Sequence, residues 1–223
     1  MFVTQPKAFA TLALCGALLI APASFAGILE LKPETRTIEG VKLSDSAVLT
    51  AGEKKITLKR FAAGLRKKKV AIFWANVYVG QVFSTDGLAS PPKSIEEALE
   101  TLAKQPVVAI TLSFLRDVSV DKMKAAFEDS LETNKIDPKA EAMKPLFTIL
   151  EKSGGMRDKR TTTIVLERAP DGKESFRFEN GKGEVQASGV ETGAIRKILT
   201  MWFGKPADSG VERLHKQFLG KED

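Results

Sequence analysis

The side chains that could do chemistry are few. The chain of 223 residues holds one His, His215, and one Cys, Cys15. Zinc sites of the His/Cys type draw on about four such ligands, so that kind of metal centre is all but excluded. A single Cys leaves no internal disulfide framework. His215 as a general base would need a nucleophile, and no G-x-S-x-G elbow is present. No G-K-[ST] phosphate loop occurs either. His215 lies beside the apolar stripe of the last helical pattern and reads as a half-exposed surface histidine. The other cluster is basic: Lys67, Lys68 and Lys69, with Lys59, Arg60 and Arg66 nearby. It can attract anions or stand as solvated hairpin charge. Phe73 and Trp74 follow it and read as core or as ligand contacts.

These groups need a scaffold, and the composition is that of an ordinary globular domain: 43% hydrophobic, 28% charged, net charge +6, mean hydropathy −0.10. A disordered tail, a collagen-like repeat and a multispan membrane protein are ruled out. Lys7 followed by the apolar run Ala8 to Ala21 has the layout of a secretory signal peptide. Ser24-Phe25-Ala26 supplies small residues three and one before a cut. The expected mature chain is therefore a single domain over 27–223, periplasmic or secreted. A retained anchor is the alternative, but the run is short for a span of ~20 residues. Without Cys, the mature chain suits an oxidising compartment. No nucleic-acid partner, no cofactor and no membrane span after cleavage are expected; a protein partner is left open.

The chain then reads as strands, helices, strands, helices. Thr35 to Leu43 and Lys54 to Leu58 are short strands, and Phe61 to Lys69 is a connection. Val70 to Phe83 is a long central strand rich in β-branched and aromatic residues. Ser94 with Glu97 forms a capping box opening a helix with Ile95, Leu99 and Leu102 on its stripe. Val107 to Leu115 is a buried strand. Asp117 or Ser119 caps a helix carrying Val120, Met123, Phe127 and Leu131, and a second helix runs from about Glu141 to Lys152. Thr161 to Glu167 and Ser175 to Glu179 are strands joined at Ala169-Pro170-Asp171-Gly172; Glu184 to Gly189 is another. Two helices follow, the last with Val211, Leu214, Phe218 and Leu219 on one face. Antiparallel strands with segregated helices predict one α+β domain.

Gly64-Leu65-Arg66, a lysine-rich turn and Ile72-Phe73-Trp74-Ala75-Asn76-Val77-Tyr78-Val79 resemble the chalcone isomerase-like superfamily, and within it the secreted bacterial branch. Three further matches follow in order: Phe114-Leu115-Arg116-Asp117-Val118-Ser119 before a helix with Met123, the Ala169-Pro170-Asp171-Gly172 turn, and Trp202-Phe203-Gly204-Lys205-Pro206 before the last helix. The resemblance spans roughly Thr35 to Gly220. It implies an open-faced β-sandwich, a long antiparallel sheet covered by helices on one side, with a ligand in the sheet–helix cleft. Some members of this superfamily close a flavanone ring from a chalcone, others bind fatty acids without catalysis, and many bacterial members have no assigned chemistry.

Carried over residue by residue, the family's anion-holding arginine falls at Arg66, whose guanidinium can grip a carboxylate or phenolate through two bonds. The polar positions that serve a carbonyl fall at Phe73, Val118, Ala125 and Met201. Losing such preorganised groups costs orders of magnitude in rate, while an apolar slot with one cation suits an amphiphile. Tyr78 could add a hydroxyl to the anion site, although simple alternation sets it on the opposite face from Phe73. The resemblance thus implies Arg66, Phe73, Tyr78, Val118 and Met201 as ligand contacts. Three readings stay open: a non-catalytic binder of an anionic apolar ligand such as a fatty acid, an isomerase of the intramolecular lyase type on an aromatic or enone substrate, and a structural or partner-binding module with a filled cleft.

Overall fold

Eight strands pair in chain order, each antiparallel to the next, into one sheet. They are β1 (Leu29–Ile38), β2 (Val41–Ala51), β3 (Lys54–Val70), β4 (Phe73–Ser84), β5 (Val107–Phe114), β6 (Thr161–Arg168), β7 (Glu174–Glu179) and β8 (Val185–Val190). The computed structural model describes residues 27–87 and 91–221. The apolar run 8–21 and the expected cut after Ala26 lie outside them. Two helices enter between strands, α1 (Ile95–Ala103) after β4 and α2 (Val120–Thr133) after β5. A 3-10 turn (Glu141–Met143) leads into α3 (Lys144–Lys152), and α4 (Ala194–Phe203) and α5 (Ser209–Phe218) follow β8. No helix among the described residues is long and apolar enough to cross a membrane.

The helices cover one face. One large apolar layer joins Val82, Val108, Ile110, Leu112, Ile164, Phe176 and Phe178 of the sheet to Leu102, Phe127, Leu131, Leu146, Leu199 and Trp202 of the helices. A smaller cluster on the other face unites Leu29, Ala47, Leu49, Leu58, Phe83, Ala109 and Val165. The sheet curls to close it. Arg177 of β7 donates to the Thr50 carbonyl at 3.2 Å, and Glu179 accepts from the Ile28 amide at 3.1 Å. The first strands therefore swing back over the last, as an open-faced β-sandwich requires. The strand alternation follows: β7 is buried at Glu174, Phe176 and Phe178 and half-exposed between them.

Local signals hold at most helix starts. Ser94 accepts from the Glu97 amide at 3.1 Å, and Ser119, not Asp117, caps α2. Glu97 closes its box one residue early, on the Lys93 amide at 2.8 Å.

The region around Arg66 differs from the sequence reading. Phe61 to Lys69 is not a connection but the distal half of a 17-residue strand. Gly64 and the lysines have poor strand propensity, yet pairing with β4, with α5 packed on Gly64 to Lys67, holds them extended. A Cβ on Gly64 would come within 2.9 Å of Leu214 Cδ1 on α5, so the glycine marks a close helix approach rather than a break. The supposed long strand from Val70 is interrupted: Ala71 and Ile72 form a tight hairpin turn, with Ala71 at φ 53°, and β4 starts at Phe73.

Candidate functional site

Arg66 is buried, 8% exposed, and pairs across β3–β4 with Tyr78. The register slips between Arg66 and Lys67, so that Lys67 faces Asn76 and Val77 is an extra residue in β4. This bulge resets the alternation and turns Tyr78 toward the helices, where it packs against the main apolar layer. Cross-strand partners share a face, so Arg66 points the same way. Simple alternation could not show this.

The guanidinium of Arg66 meets a carboxylate from its own chain. Nη2 donates to Asp208 Oδ2 at 2.6 Å, and Nη1 donates to the Lys67 carbonyl. Asp208 is also the N-cap of α5: its Oδ1 accepts from the amides of Gly210 and Val211, each at 2.9 Å. One carboxylate thus starts the helix and neutralises the strand cation. Burial works to raise the Asp208 pKa, but the Arg66 hydrogen bond and charge and the two helix amides outweigh it and hold it below the usual carboxylate value. The fit is tight at Gly210, where a Cβ would overlap the Lys67 carbonyl oxygen and Arg66 Nη1.

The other side of Arg66 is aromatic. The Tyr78 hydroxyl accepts from Trp202 Nε1 at 3.2 Å, and its ring meets Phe114 edge-on at 5.6 Å. Burial pushes the Tyr78 hydroxyl above its ordinary pKa, against the charge of Arg66 and the Trp202 bond. Trp202 packs edge-to-face on Phe127 at 5.4 Å. Its carbonyl is bound by Nε2 of His215 at 2.9 Å; a carbonyl can only accept, so Nε2 carries the proton. His215 is therefore not a half-exposed surface residue. It is 7% exposed, and burial lowers its pKa against the pull of the Trp202 carbonyl and Glu212. Glu174 of β7 anchors α4, accepting from the Ile195 amide at 2.9 Å and pairing with Arg168 at 2.7 Å. Gln217 Oε1 of α5 accepts from the Leu65 amide at 2.6 Å.

Of the expected contacts, Arg66 and Tyr78 come together, and Met201 is buried in the same apolar layer beside Trp202. Val118 is half-buried and locked to Met156 by two backbone bonds of 2.8 Å. Phe73 lies apart from them and outside the core: at the hairpin tip it is 72% exposed, because β3 and β4 run on past their neighbouring strands. Ala125 faces solvent on α2. Asp208, Trp202 and His215 complete the cluster without having been read as site residues.

Two surface clefts flank the site without reaching Arg66. One, of about 430 Å³, is lined by Arg36, Leu43, Arg60, Phe61, Pro92 and Phe218. The other, of about 650 Å³, lies around Val41, Asn76, Ser113, Leu115 and Lys159. The four methionines of the described residues, Met123, Met143, Met156 and Met201, all lie in the layer between sheet and helices.

A search of curated proteins by sequence finds no match. Among solved structures, a fatty-acid binding protein of Arabidopsis thaliana is similar in fold, with a TM-score of 0.50 at 15% identity, covering 77% of this chain and 95% of that one. A profile described as chalcone isomerase-like matches residues 35–220. With that match over most of its length and the curled antiparallel sheet under one helical layer, the chain belongs to the chalcone isomerase-like family.

Proposed function

We propose that this protein is a non-catalytic binder of an anionic amphiphile such as a fatty acid, with Arg66 holding the head group in place of Asp208. The observation that carries the reading is the buried Arg66 guanidinium with one carboxylate from a helix N-terminus on it, at the edge of an apolar layer. Replacing one carboxylate by another on a buried guanidinium leaves no charge unpaired, so the exchange avoids the large cost of stranding an ion. The displaced Asp208 is already 38% exposed at its side chain and can turn to water. An acyl chain needs room beside Arg66, and methionine is the side chain best suited to yield it, being unbranched and adaptable.

The fold of the Arabidopsis fatty-acid binding protein is compatible with this role. An isomerase reading has less support: the polar positions expected of an isomerase are filled by the exposed Phe73 and Ala125 and by the apolar Val118 and Met201. The packed sheet–helix layer favours a second reading, a closed structural or partner-binding module. Native mass spectrometry of the purified protein separates the two. A retained species of acyl-lipid mass, lost on delipidation and regained with a long-chain fatty acid, is expected; a protein that never takes up an acyl ligand would leave the closed module. We propose, further, that the protein belongs to the secreted branch of the family and acts in the periplasm or outside the cell.

A further inference from the structure

One end of the sheet runs on past its neighbouring strands. β2 pairs with β3 only over Lys54–Lys59, and β5 pairs with β4 only as far as Tyr78. Residues 67–70 and 73–76 therefore have only each other as strand partners, and they form a two-stranded ribbon closed by Ala71 and Ile72. Four residue pairs at ~3.4 Å each carry the tip roughly 14 Å beyond the last strand pairing on either side. The tip is apolar and open to water: Val70 is 54% exposed, Ile72 80%, Phe73 72% and Trp74 36%. Behind it stand Lys67, Lys68 and Lys69, and Arg213 of α5 lies 4.4 Å over the Trp74 ring. From Lys54 to Ser84 there is no Asp or Glu.

We propose that this ribbon docks the protein on an anionic lipid surface. The order of its side chains is that of an interfacial anchor. Apolar residues at the end reach the acyl boundary, tryptophan sits at headgroup depth, and the lysines meet the phosphates. Each lysine near an anionic surface adds electrostatic attraction that falls off within a Debye length. An exposed apolar patch of this kind marks an interaction surface, and the three successive lysines of a strand pair that holds no acidic residue select a negative partner. The inference does not rest on the ligand reading, since neither Arg66 nor Asp208 takes part.

The test uses the full chain and phosphatidylcholine vesicles with brominated acyl chains, with and without phosphatidylglycerol, and no fatty acid. Of the two tryptophans, Trp202 is buried at 2% exposure, so quenching by the bromines reports Trp74. Every variant keeps the same N-terminus, so differences between them report the ribbon. Quenching is expected only with phosphatidylglycerol, and it should vanish in Trp74→Phe. The double variant Ile72→Ser/Phe73→Ser, or Lys67, Lys68 and Lys69 all changed to Gln, should lower partition about ten- to hundredfold with unchanged circular dichroism. Absence of quenching, or variants that partition like the wild type, would overturn the proposal. So would a lipid-free dimer in sedimentation that Phe73→Ser disperses, which would give the tip to a second copy of the chain.

Discussion

Arg66 Nη2 and Asp208 Oδ2 lie 2.6 Å apart across 142 residues of sequence, so the long hairpin strand and the last helix are held by one charged contact. Asp208→Asn separates its two jobs. Asparagine can still cap α5, but it cannot neutralise the guanidinium. Unfolding by denaturant should show a loss of roughly 1–2 kcal/mol, toward the low end for a charged hydrogen bond because Asp208 is partly solvated.

The same pair carries a pH signature. Because the folded Asp208 pKa lies below its ordinary 3.8, the stabilisation is fully present above that value and is lost as pH falls through the folded pKa. Wild type and Asp208→Asn should therefore converge in stability at acid pH and diverge above about pH 4. A constant gap at every pH would show that the charge of Asp208 contributes nothing.

His215 acts over a higher window. Its folded pKa lies below 6.5 through burial, so the unfolded chain binds a proton more readily. Stability is full above 6.5 and declines as pH falls from there toward the folded pKa. As the only histidine, it should account for most of the loss between neutral pH and pH 5, and His215→Gln should flatten that segment of a melting-temperature profile.

Gly210→Ala tests how closely α5 sits on β3. With a Cβ meeting the Lys67 carbonyl and Arg66, the helix start must lift. Overpacking of this kind costs about 1–3 kcal/mol, read as a lower melting temperature together with faster amide exchange at Leu65, whose N–H is held by Gln217.

Export is tested at the N-terminus. The run Ala8 to Ala21 and the Ser24-Phe25-Ala26 pattern lead us to expect secreted protein whose first residue is Gly27. An intact Met1 in a membrane fraction would contradict this.

Much of the fold was legible in the chain because its signals are local. The Ser94 and Ser119 caps, the Phe127–Leu131 stripe and the Pro170-Asp171-Gly172 turn all act within a few residues. What was illegible is what depends on distant partners. Gly64 and the lysines argue against a strand until α5 and β4 are placed on them. The Ala71-Ile72 turn lacks the Gly or Asn that usually marks a two-residue hairpin, so Val70 reads as the start of the long strand and the segment before it as a connection. The bulge at Val77 is invisible in the pattern, and it decides that Tyr78 joins Arg66. Asp208 could have been read as a cap from Asp208-Ser209-Gly210, but nothing local shows that its second oxygen belongs to Arg66.

The most direct measurement is a calorimetric titration of the delipidated protein with a long-chain fatty acid, comparing wild type with Asp208→Asn. If the ligand carboxylate takes the place of Asp208 on Arg66, removing the internal competitor should strengthen binding about tenfold or more, in line with one charge-assisted bond, even though the variant is less stable. Fatty acid that binds both proteins equally, or neither, would contradict the account.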